Sequence, residues 1–335
     1  MLLYFSVRNV DWSRVWHTIV HAHWGYLALA AVITSTSFFC RAVRWRILLN
    51  TETWFSVSTV FWANMAGYLG NNFLPARAGE LIRTYLISNR STLSKTYVLT
   101  TALAERLMDV IALVLWSSLV LLGINPKPAW MQDLSRTMAL VAGAGAIAIL
   151  LLPHTGNLVQ NIVRRLPLPE SLLNRLLTLA EQILLGLRAF HDWGRLAGFV
   201  SLTVVIWMLD ALSVIAGSTA LGIHIPFRVA MLLLTALGLG SALPSTPGYV
   251  GIYQFVSVKV LSPFGIPPDD AIAYILVAQA LGSVVMLAFG LPGLYRLQGA
   301  KGVTERPPGS GICPEPNPVS SLPSSRSDGR EDSVP

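Results

Sequence analysis

Charged residues are scarce in this sequence. Only 12% of its 335 residues are Asp, Glu, Lys or Arg, whereas 53% are hydrophobic. Soluble domains carry roughly 25% charged residues, so the composition excludes a soluble globular protein. It predicts an all-α fold, a polytopic transmembrane helical bundle in which each crossing helix takes about 20 apolar residues.

Cysteine and catalytic motifs are also scarce. The two cysteines, Cys40 and Cys313, fall at a predicted membrane edge and in the tail, so they indicate neither a disulfide nor a metal site. His17 and His21 are four residues apart, but no third ligand accompanies them. The sequence has no zinc-hydrolase pattern, no Gly-x-Ser-x-Gly elbow and no Walker loop. We therefore expect no catalytic residue, no metal, no cofactor and no enzymatic activity.

The net charge of +7 does not indicate a nucleic-acid partner, because the basic residues form no basic helix or aromatic-interleaved patch. Most of them lie on the side that we predict to be cytoplasmic, which follows the positive-inside rule. Residues 1–7 lack the basic start and cleavage site of a signal peptide. The pattern predicts a multi-pass protein of the cell inner (cytoplasmic) membrane. The basic residues that we predict on the extracytoplasmic side are Arg8, Arg14, Lys127, Arg136, Arg228 and Lys259.

Composition divides the chain into three parts. Residues 1–23 are predicted to be an interfacial N-terminal segment, because Trp12 and Trp16 recur at helical spacing and tryptophan prefers the membrane interface. Residues 24–297 hold the membrane segments and form the predicted transmembrane domain. Residues 298–335 are rich in Pro, Ser and Gly, cannot bury a core, and are predicted to be a disordered cytoplasmic tail.

The first clear span is predicted at residues 24–40. Arg41, Arg44 and Arg46 follow at once, which predicts a cytoplasmic end there. Asp210 lies near the middle of a later span, where a carboxylate is costly and should face the bundle and have a partner. Residues 170–190 are predicted to be an amphipathic helix along the inner leaflet. The later predicted spans are residues 98–123, 137–152, 196–221 and 271–296.

A broken apolar segment at residues 66–85 is the most unusual stretch. An apolar run is interrupted by glycine, asparagine and Pro75, and then Arg77, Glu80 and Arg83 follow. Proline ends a helix, and broken backbone at membrane depth is tolerated only where protein or a wet cavity satisfies its polar groups. Charges beside such a break suggest a function. The alternative is a cytoplasmic loop whose charges lie in water.

A second break repeats the spacing of the first. Leu-Pro-x-x-x-Gly begins at Leu74 and again at Leu243, each time after an apolar run that contains glycine. Three predicted spans separate the copies, and an odd number would invert the second copy relative to the first. Two broken segments at corresponding positions indicate a transporter site near the midplane. The sequence thus predicts two broken or re-entrant segments and an inverted repeat.

Three motifs resemble the lysylphosphatidylglycerol synthase transmembrane, or flippase-like, family. They are Gly-Tyr-Leu-Gly-Asn-Asn-Phe-Leu-Pro-Ala-Arg-Ala-Gly-Glu-Leu-Ile-Arg at residues 67–83, Glu-Arg-Leu-Met-Asp at 105–109 and Leu-Pro-Ser-Thr-Pro-Gly-Tyr-Val-Gly at 243–251. They occur in the family's order within a resemblance that extends over roughly residues 25–297. The family usually has one more N-terminal span, so we expect this chain to begin near the end of that span.

The resemblance implies a lipid-translocating membrane domain. In bifunctional members this domain moves an aminoacylated phospholipid, and a separate soluble domain transfers the lysyl group. The residues after Arg296 are too few for such a transferase, so we expect a stand-alone member. The expected partner is a membrane lipid, which could be an anionic phospholipid, a hopanoid or an isoprenoid lipid. The competing interpretation is a non-catalytic membrane partner that anchors a lipid-modifying enzyme or a glycosyltransferase.

The candidate site combines cations with hydrogen-bonding groups. A lipid phosphate crosses hydrocarbon only if the cost of desolvating its charge is lowered, and a guanidinium can grip two of its oxygens. We expect Arg77 to contact phosphate first. The alternative is a structural arginine–carboxylate network that holds the two broken helices together. The predicted head-group residues are Asn71, Asn72, Arg77, Glu80, Arg83, Arg106, Asp109, Ser245, Thr246 and Tyr249.

Overall fold

The computed structural model describes residues 10–74, 78–122, 192–242 and 247–298, with a few isolated positions between 140 and 181. All regular secondary structure in these regions is helical, which confirms the predicted all-α bundle. Their α-helices are α1 (Trp12–Val20), α2 (Trp24–Leu49), α3 (Val57–Phe73), α4 (Gly79–Ser88), α5 (Lys95–Leu122), α6 (Trp193–Ala220), α7 (Phe227–Ala242), α8 (Ile252–Leu261) and α9 (Pro268–Gln298).

Three of the described helices are long and apolar enough to cross a membrane: α2, α6 and α9. At 1.5 Å of rise per residue each is roughly 40 Å long, more than the hydrocarbon thickness of about 30 Å. Helix α5 has 28 residues as well, but it carries Glu105, Arg106 and Asp109 within its length. The bundle therefore combines apolar helices with one long helix that brings charge into the interior.

Helix α2 corrects the prediction for the first span. The expected end at Cys40 is wrong, because the helix continues to Leu49 without a break. Arg41 is only 9% exposed and Arg44 is fully buried, so these arginines are not a solvated flank. No glycine or proline interrupts this helix after Gly25. Asp210 and Asp109 of neighbouring helices provide partners for Arg41 and Arg44.

Both predicted breaks are present, since α3 and α7 each end one residue before a Leu-Pro pair. After the first break, Gly79 lies so close to α3 that a Cβ atom there would be 1.8 Å from the Gly67 carbonyl oxygen. After the second, a 3₁₀ turn at Pro247–Tyr249 leads into α8. Short helices α4 and α8 thus fold back beside the helices that precede them.

The helix packing of the first half recurs in the second. Helices α2 to α5 pack as α2–α3, α3–α4, α4–α5 and α2–α5, and helices α6 to α9 pack as α6–α7, α7–α8, α8–α9 and α6–α9. Between the halves, α3 packs on α9 as α7 packs on α5, and α2 packs on α6. This pattern is what a two-fold related repeat would produce. Inversion across the membrane remains a prediction.

Helix α1 begins after Asp11, whose carboxylate accepts hydrogen bonds from two backbone amides of the first turn. Val15 is buried against Ile272 and Ala273 of α9, while Trp12 and Trp16 are more than half exposed. An apolar face that is left exposed in this way suits the predicted interfacial position. The predictions for residues 137–152 and 170–190 fall mostly, and that for the tail almost entirely, outside the described residues.

Candidate functional site

A buried network of ion pairs joins α2, α4 and α5. At its centre Glu105, which is fully buried, accepts a hydrogen bond from Arg44 of α2 at 3.0 Å and another from Arg83 of α4 at 3.0 Å. Both arginines are also buried, at 0% and 1% exposure. A charge in such surroundings is tolerated only when it is paired and hydrogen-bonded, so each member depends on its partners.

Each buried arginine has a second carboxylate. Arg44 donates to both oxygens of Asp109, at 2.6 and 2.9 Å. Arg83 donates to Glu80 at 2.5 Å. The bidentate contact fixes the plane of the Arg44 guanidinium as well as its position. The network therefore connects the first broken segment to α2 and α5, and the described residues of the second break take no part in it. The structural alternative, an arginine–carboxylate network that holds the two broken helices together, stays a prediction.

Beside the network lies a cavity of about 310 Å³. Every helix from α2 to α9 contributes to its wall, and so does the 3₁₀ turn of the second break. Four arginine or carboxylate side chains of the network region reach it together with Asp210. The lining residues are Thr34, Phe38, Arg41, Tyr68, Asn71, Asn72, Glu80, Arg106, Asp109, Val110, Leu113, Trp207, Asp210, Gly238, Ser241, Tyr249, Tyr253 and Met286.

Two arginines at the cavity wall lie over aromatic rings. Arg106 lies 5.3 Å from the ring centre of Tyr68 and donates to Glu80 at 3.1 Å. Arg41 lies 5.3 Å from the ring centre of Trp207 and pairs with Asp210. Ring and carboxylate together orient each guanidinium. The Arg106 side chain is 27% exposed against 11% for Arg41, so Arg106 is the more accessible cation of the two.

The same two rings carry polar atoms without a hydrogen bond. Among the described residues, the Tyr68 hydroxyl and the Trp207 indole nitrogen are buried and unpaired, and so is the side-chain oxygen of Asn71. All three residues line the cavity. Buried polar groups in proteins are nearly always satisfied, so unpaired ones require an explanation. Two donors beside two arginines suit a ligand that offers several acceptor oxygens.

The structure brings most predicted site residues together. Seven of the ten are described, and all except Arg83, which lies in the buried network, line the cavity. Asn71 donates to Glu80 at 3.3 Å, and Asn72 donates to Ser283 of α9 at 3.0 Å. Tyr249 stacks on Tyr253 with ring centres 4.9 Å apart. The other three predicted residues, Arg77, Ser245 and Thr246, lie outside the described residues.

Hydrogen bonds from α9 also fix the backbone at the second break. Gln279 donates to the backbone oxygen of Gly248 at 2.7 Å and accepts a hydrogen bond from Gln254 at 2.7 Å. Tyr249, between these contacts, has φ of 58°, the one positive value that the described non-glycine residues show. Such a conformation costs energy for a bulky residue and persists where surrounding contacts enforce it. It presents the Tyr249 ring to the cavity wall.

Sequence reasoning missed Arg41 and Arg44, which were assigned to a cytoplasmic flank. Helical spacing could have identified them, because Thr34, Ser37, Arg41 and Arg44 follow each other at intervals of three or four residues on one face of α2. The prediction for Asp210 is confirmed, since it accepts hydrogen bonds from Ser37 at 2.5 Å and from Arg41. In the described regions, no three His, Cys, Asp or Glu side chains are grouped to hold a metal.

Taken together, the fold and the cavity define an α-helical membrane protein with a charged interior site. The sequence pattern of the family described as the lysylphosphatidylglycerol synthase TM region matches residues 1–290. Because the match covers most of the chain, this protein belongs to that family. The resemblance inferred from the three motifs is therefore confirmed.

Three proteins are similar in sequence to this chain over two thirds of its length or more. It is 25% identical to the glycosyltransferase AglD of Haloferax volcanii, over 86% of this chain and 51% of AglD. It is 23% identical to a UPF0104 membrane protein of Methanothermobacter thermautotrophicus, over 83% of this chain and 85% of that protein. It is 23% identical to the UPF0104 membrane protein MJ1078 of Methanocaldococcus jannaschii, over 67% and 92%. This chain thus spans about half of AglD. No solved structure gives a significant match.

Proposed function

We propose that this protein is a multi-pass protein of the cytoplasmic membrane that binds the anionic head group of a lipid in its charged cavity and translocates the lipid. The observation that carries the proposal is that Arg106 and Arg41 line one cavity together with Tyr68 and Trp207, whose buried donors are unpaired. Phosphate oxygens would accept from the two guanidinium groups. The lipid classes considered are anionic phospholipids, hopanoid lipids and isoprenoid phosphates.

Arg106 is the proposed first contact among the described residues. Its side chain is the more exposed of the two cavity arginines, and Glu80 binds it through a single nitrogen of the guanidinium within hydrogen-bonding distance. Nη1 of the same guanidinium lies 3.9 Å from an oxygen of Asp109, which is beyond hydrogen-bonding distance. A phosphate could therefore bind without displacing Glu80. Arg77 remains a second proposed contact, on the sequence argument alone.

The proposed activity is transport, without chemistry on the lipid. Each carboxylate of the network is paired with arginine, so none is free to act as a general base. An arginine–carboxylate site lowers the free-energy cost of moving a phosphate through hydrocarbon. This transport breaks no covalent bond of the lipid.

Translocation in liposomes tests the proposal. Purified protein is reconstituted with fluorescent head-group-labelled anionic lipids, and dithionite quenching follows their movement between leaflets. We expect fast quenching with the parent protein and at least tenfold slower exchange with Arg106→Gln. The matched control is Arg195→Gln, which removes an exposed arginine paired only loosely with Asp192 at 3.8 Å, outside the cavity. Equal rates for all three proteins would refute the role of Arg106.

The second candidate function is that of a membrane partner that anchors a lipid-modifying enzyme or glycosyltransferase. It is favoured by the match to AglD, in which a region similar to this chain makes up about half of a longer glycosyltransferase. Co-purification distinguishes the two functions. A stable enzyme partner, with no translocation of any anionic lipid or isoprenoid phosphate by well-folded protein, would support anchoring.

A further inference from the structure

A second, apolar cavity of about 180 Å³ adjoins the charged one. The two share Thr34 and Asp210 in their walls. Helices α2, α6, α7 and α9 form the second cavity, and apart from the shared pair its wall is mainly hydrocarbon. The hydrocarbon part of the wall includes Leu27, Val214, Leu234 and Leu281.

Three of the four polar side chains that line this second wall, Thr34, Ser213 and Asp210, are already paired, and the fourth is Tyr274. The hydroxyls of Thr34 and Ser213 lie 2.8 Å apart in a hydrogen bond. Asp210 accepts from Ser37 and Arg41, on the side of the charged cavity. A polar ligand would therefore find few partners here, whereas a hydrocarbon chain would lose no hydrogen bond and would remove apolar surface from water.

We infer that the apolar cavity binds the first part of the hydrocarbon chain of the lipid whose head group occupies the charged cavity. This rests on the proposed function. Adjoining charged and apolar cavities fit an amphiphile in which the chain follows directly on a phosphate. Asp210, in both walls and paired with Arg41, marks the boundary between the two subsites.

Gly282 allows the apolar cavity to be filled without disturbing its walls. A Cβ atom at this position would meet no other atom within 4 Å, and the residue lines the cavity. A leucine side chain would therefore project into space that the chain of the lipid would use. Gly25 is a matched control, because a Cβ there also meets nothing within 4 Å and the residue is exposed on α2. Both exchanges replace a helical glycine by a better helix former.

The experiment compares two soluble phosphates, methyl phosphate and octyl phosphate, on the full-length protein at a fixed detergent concentration. Binding is measured from the rise in melting temperature with ligand concentration. Each additional buried methylene should tighten binding about fourfold, so burial of only two methylenes of the octyl chain should make octyl phosphate bind the parent about 16-fold more tightly than methyl phosphate. Gly282→Leu should abolish that difference and leave methyl phosphate unchanged, and Gly282→Ala should reduce it. Gly25→Leu should preserve it.

The outcomes separate the two proposals. If octyl phosphate retains its advantage in Gly282→Leu, the chain subsite is refuted and the head-group site survives. If Gly282→Leu loses both ligands while Gly25→Leu keeps them, the division into two subsites is refuted. If neither phosphate binds the parent, the head-group site itself fails. Equal binding of the two phosphates to the parent would refute the chain subsite alone.

Discussion

Replacing Glu105 by glutamine should separate the structural part of the charge network from its binding part. The change keeps the shape of the side chain and removes a charge that two buried arginines share at 3.0 Å each. Arg44 would keep Asp109, and Arg83 would keep Glu80. Both would nevertheless lose half of their carboxylate partners at 0% and 1% exposure.

The expected cost follows from burial. Removing one partner of a buried ion pair typically costs about 3–5 kcal/mol, because the charge that remains is uncompensated. Glutamine still accepts one hydrogen bond with its carbonyl oxygen, so the lower half of that range, about 3–4 kcal/mol, is expected here. In a domain of this size, 1 kcal/mol moves the melting temperature by about 2–4 °C. We therefore expect Glu105→Gln to melt roughly 10 °C below the parent.

The comparison variant is Arg106→Gln. Arg106 is 27% exposed, and Glu80, its nearest carboxylate at 3.1 Å, keeps Arg83 as a second partner. The loss of Arg106 therefore leaves no unpaired buried charge and should cost less stability than the loss of the Glu105 charge. Both variants are melted in the same detergent, with monodispersity on size exclusion as the readout, and are then assayed for lipid translocation. We expect Glu105→Gln to lose stability and Arg106→Gln to lose transport.

Two results would refute this reasoning. If Glu105→Gln melts within 2 °C of the parent, the buried network does not stabilise the bundle. If Arg106→Gln melts as low as Glu105→Gln, the cavity arginine is a structural residue and its transport phenotype carries no information on binding.

Three further predictions address other contacts. Gly79→Ala should prevent accumulation of monodisperse protein, because a Cβ there would be 1.8 Å from a backbone oxygen of α3, whereas Gly25→Ala should purify like the parent. Asp210→Asn should lower the free energy of unfolding by about 1–3 kcal/mol, measured as a melting shift, because Arg41 loses its main charged acceptor. Gln279→Leu should cost a similar amount, since it leaves a backbone oxygen and a buried amide unpaired; a melting temperature equal to the parent's would contradict these pairings.

Much of the fold could be predicted from the sequence. Low charge and long apolar runs indicate membrane helices directly, and Leu-Pro pairs locate both breaks because proline cannot continue a helix. The repeated Leu-Pro-x-x-x-Gly spacing was detectable for the same reason. The residues of the charged cavity on α3, α4 and α5 were found because charges stand out beside a break.

The contribution of α2 could not be predicted so directly. Arginines after an apolar run normally lie in water, and that rule placed Arg41 and Arg44 outside the bundle. Their burial depends on Glu105, Asp109 and Asp210 from helices distant in sequence. Only tertiary packing brings those carboxylates within reach, so charge pairing overrode a local rule.

The two breaks also have a consequence for synthesis of the chain. Asn72, near the end of α3, and Gly248 in the second break receive their partners, Ser283 and Gln279, from α9, which the ribosome makes after both. Ser283 follows Asn72 by 211 residues, which corresponds to roughly 10–40 s of translation at typical speeds. During that interval the side chain of Asn72 lacks its partner from α9, and hydrocarbon does not replace that partner. Nascent chains halted before residue 268 should therefore cross-link through position 72 to the insertion machinery, and release should coincide with the emergence of α9.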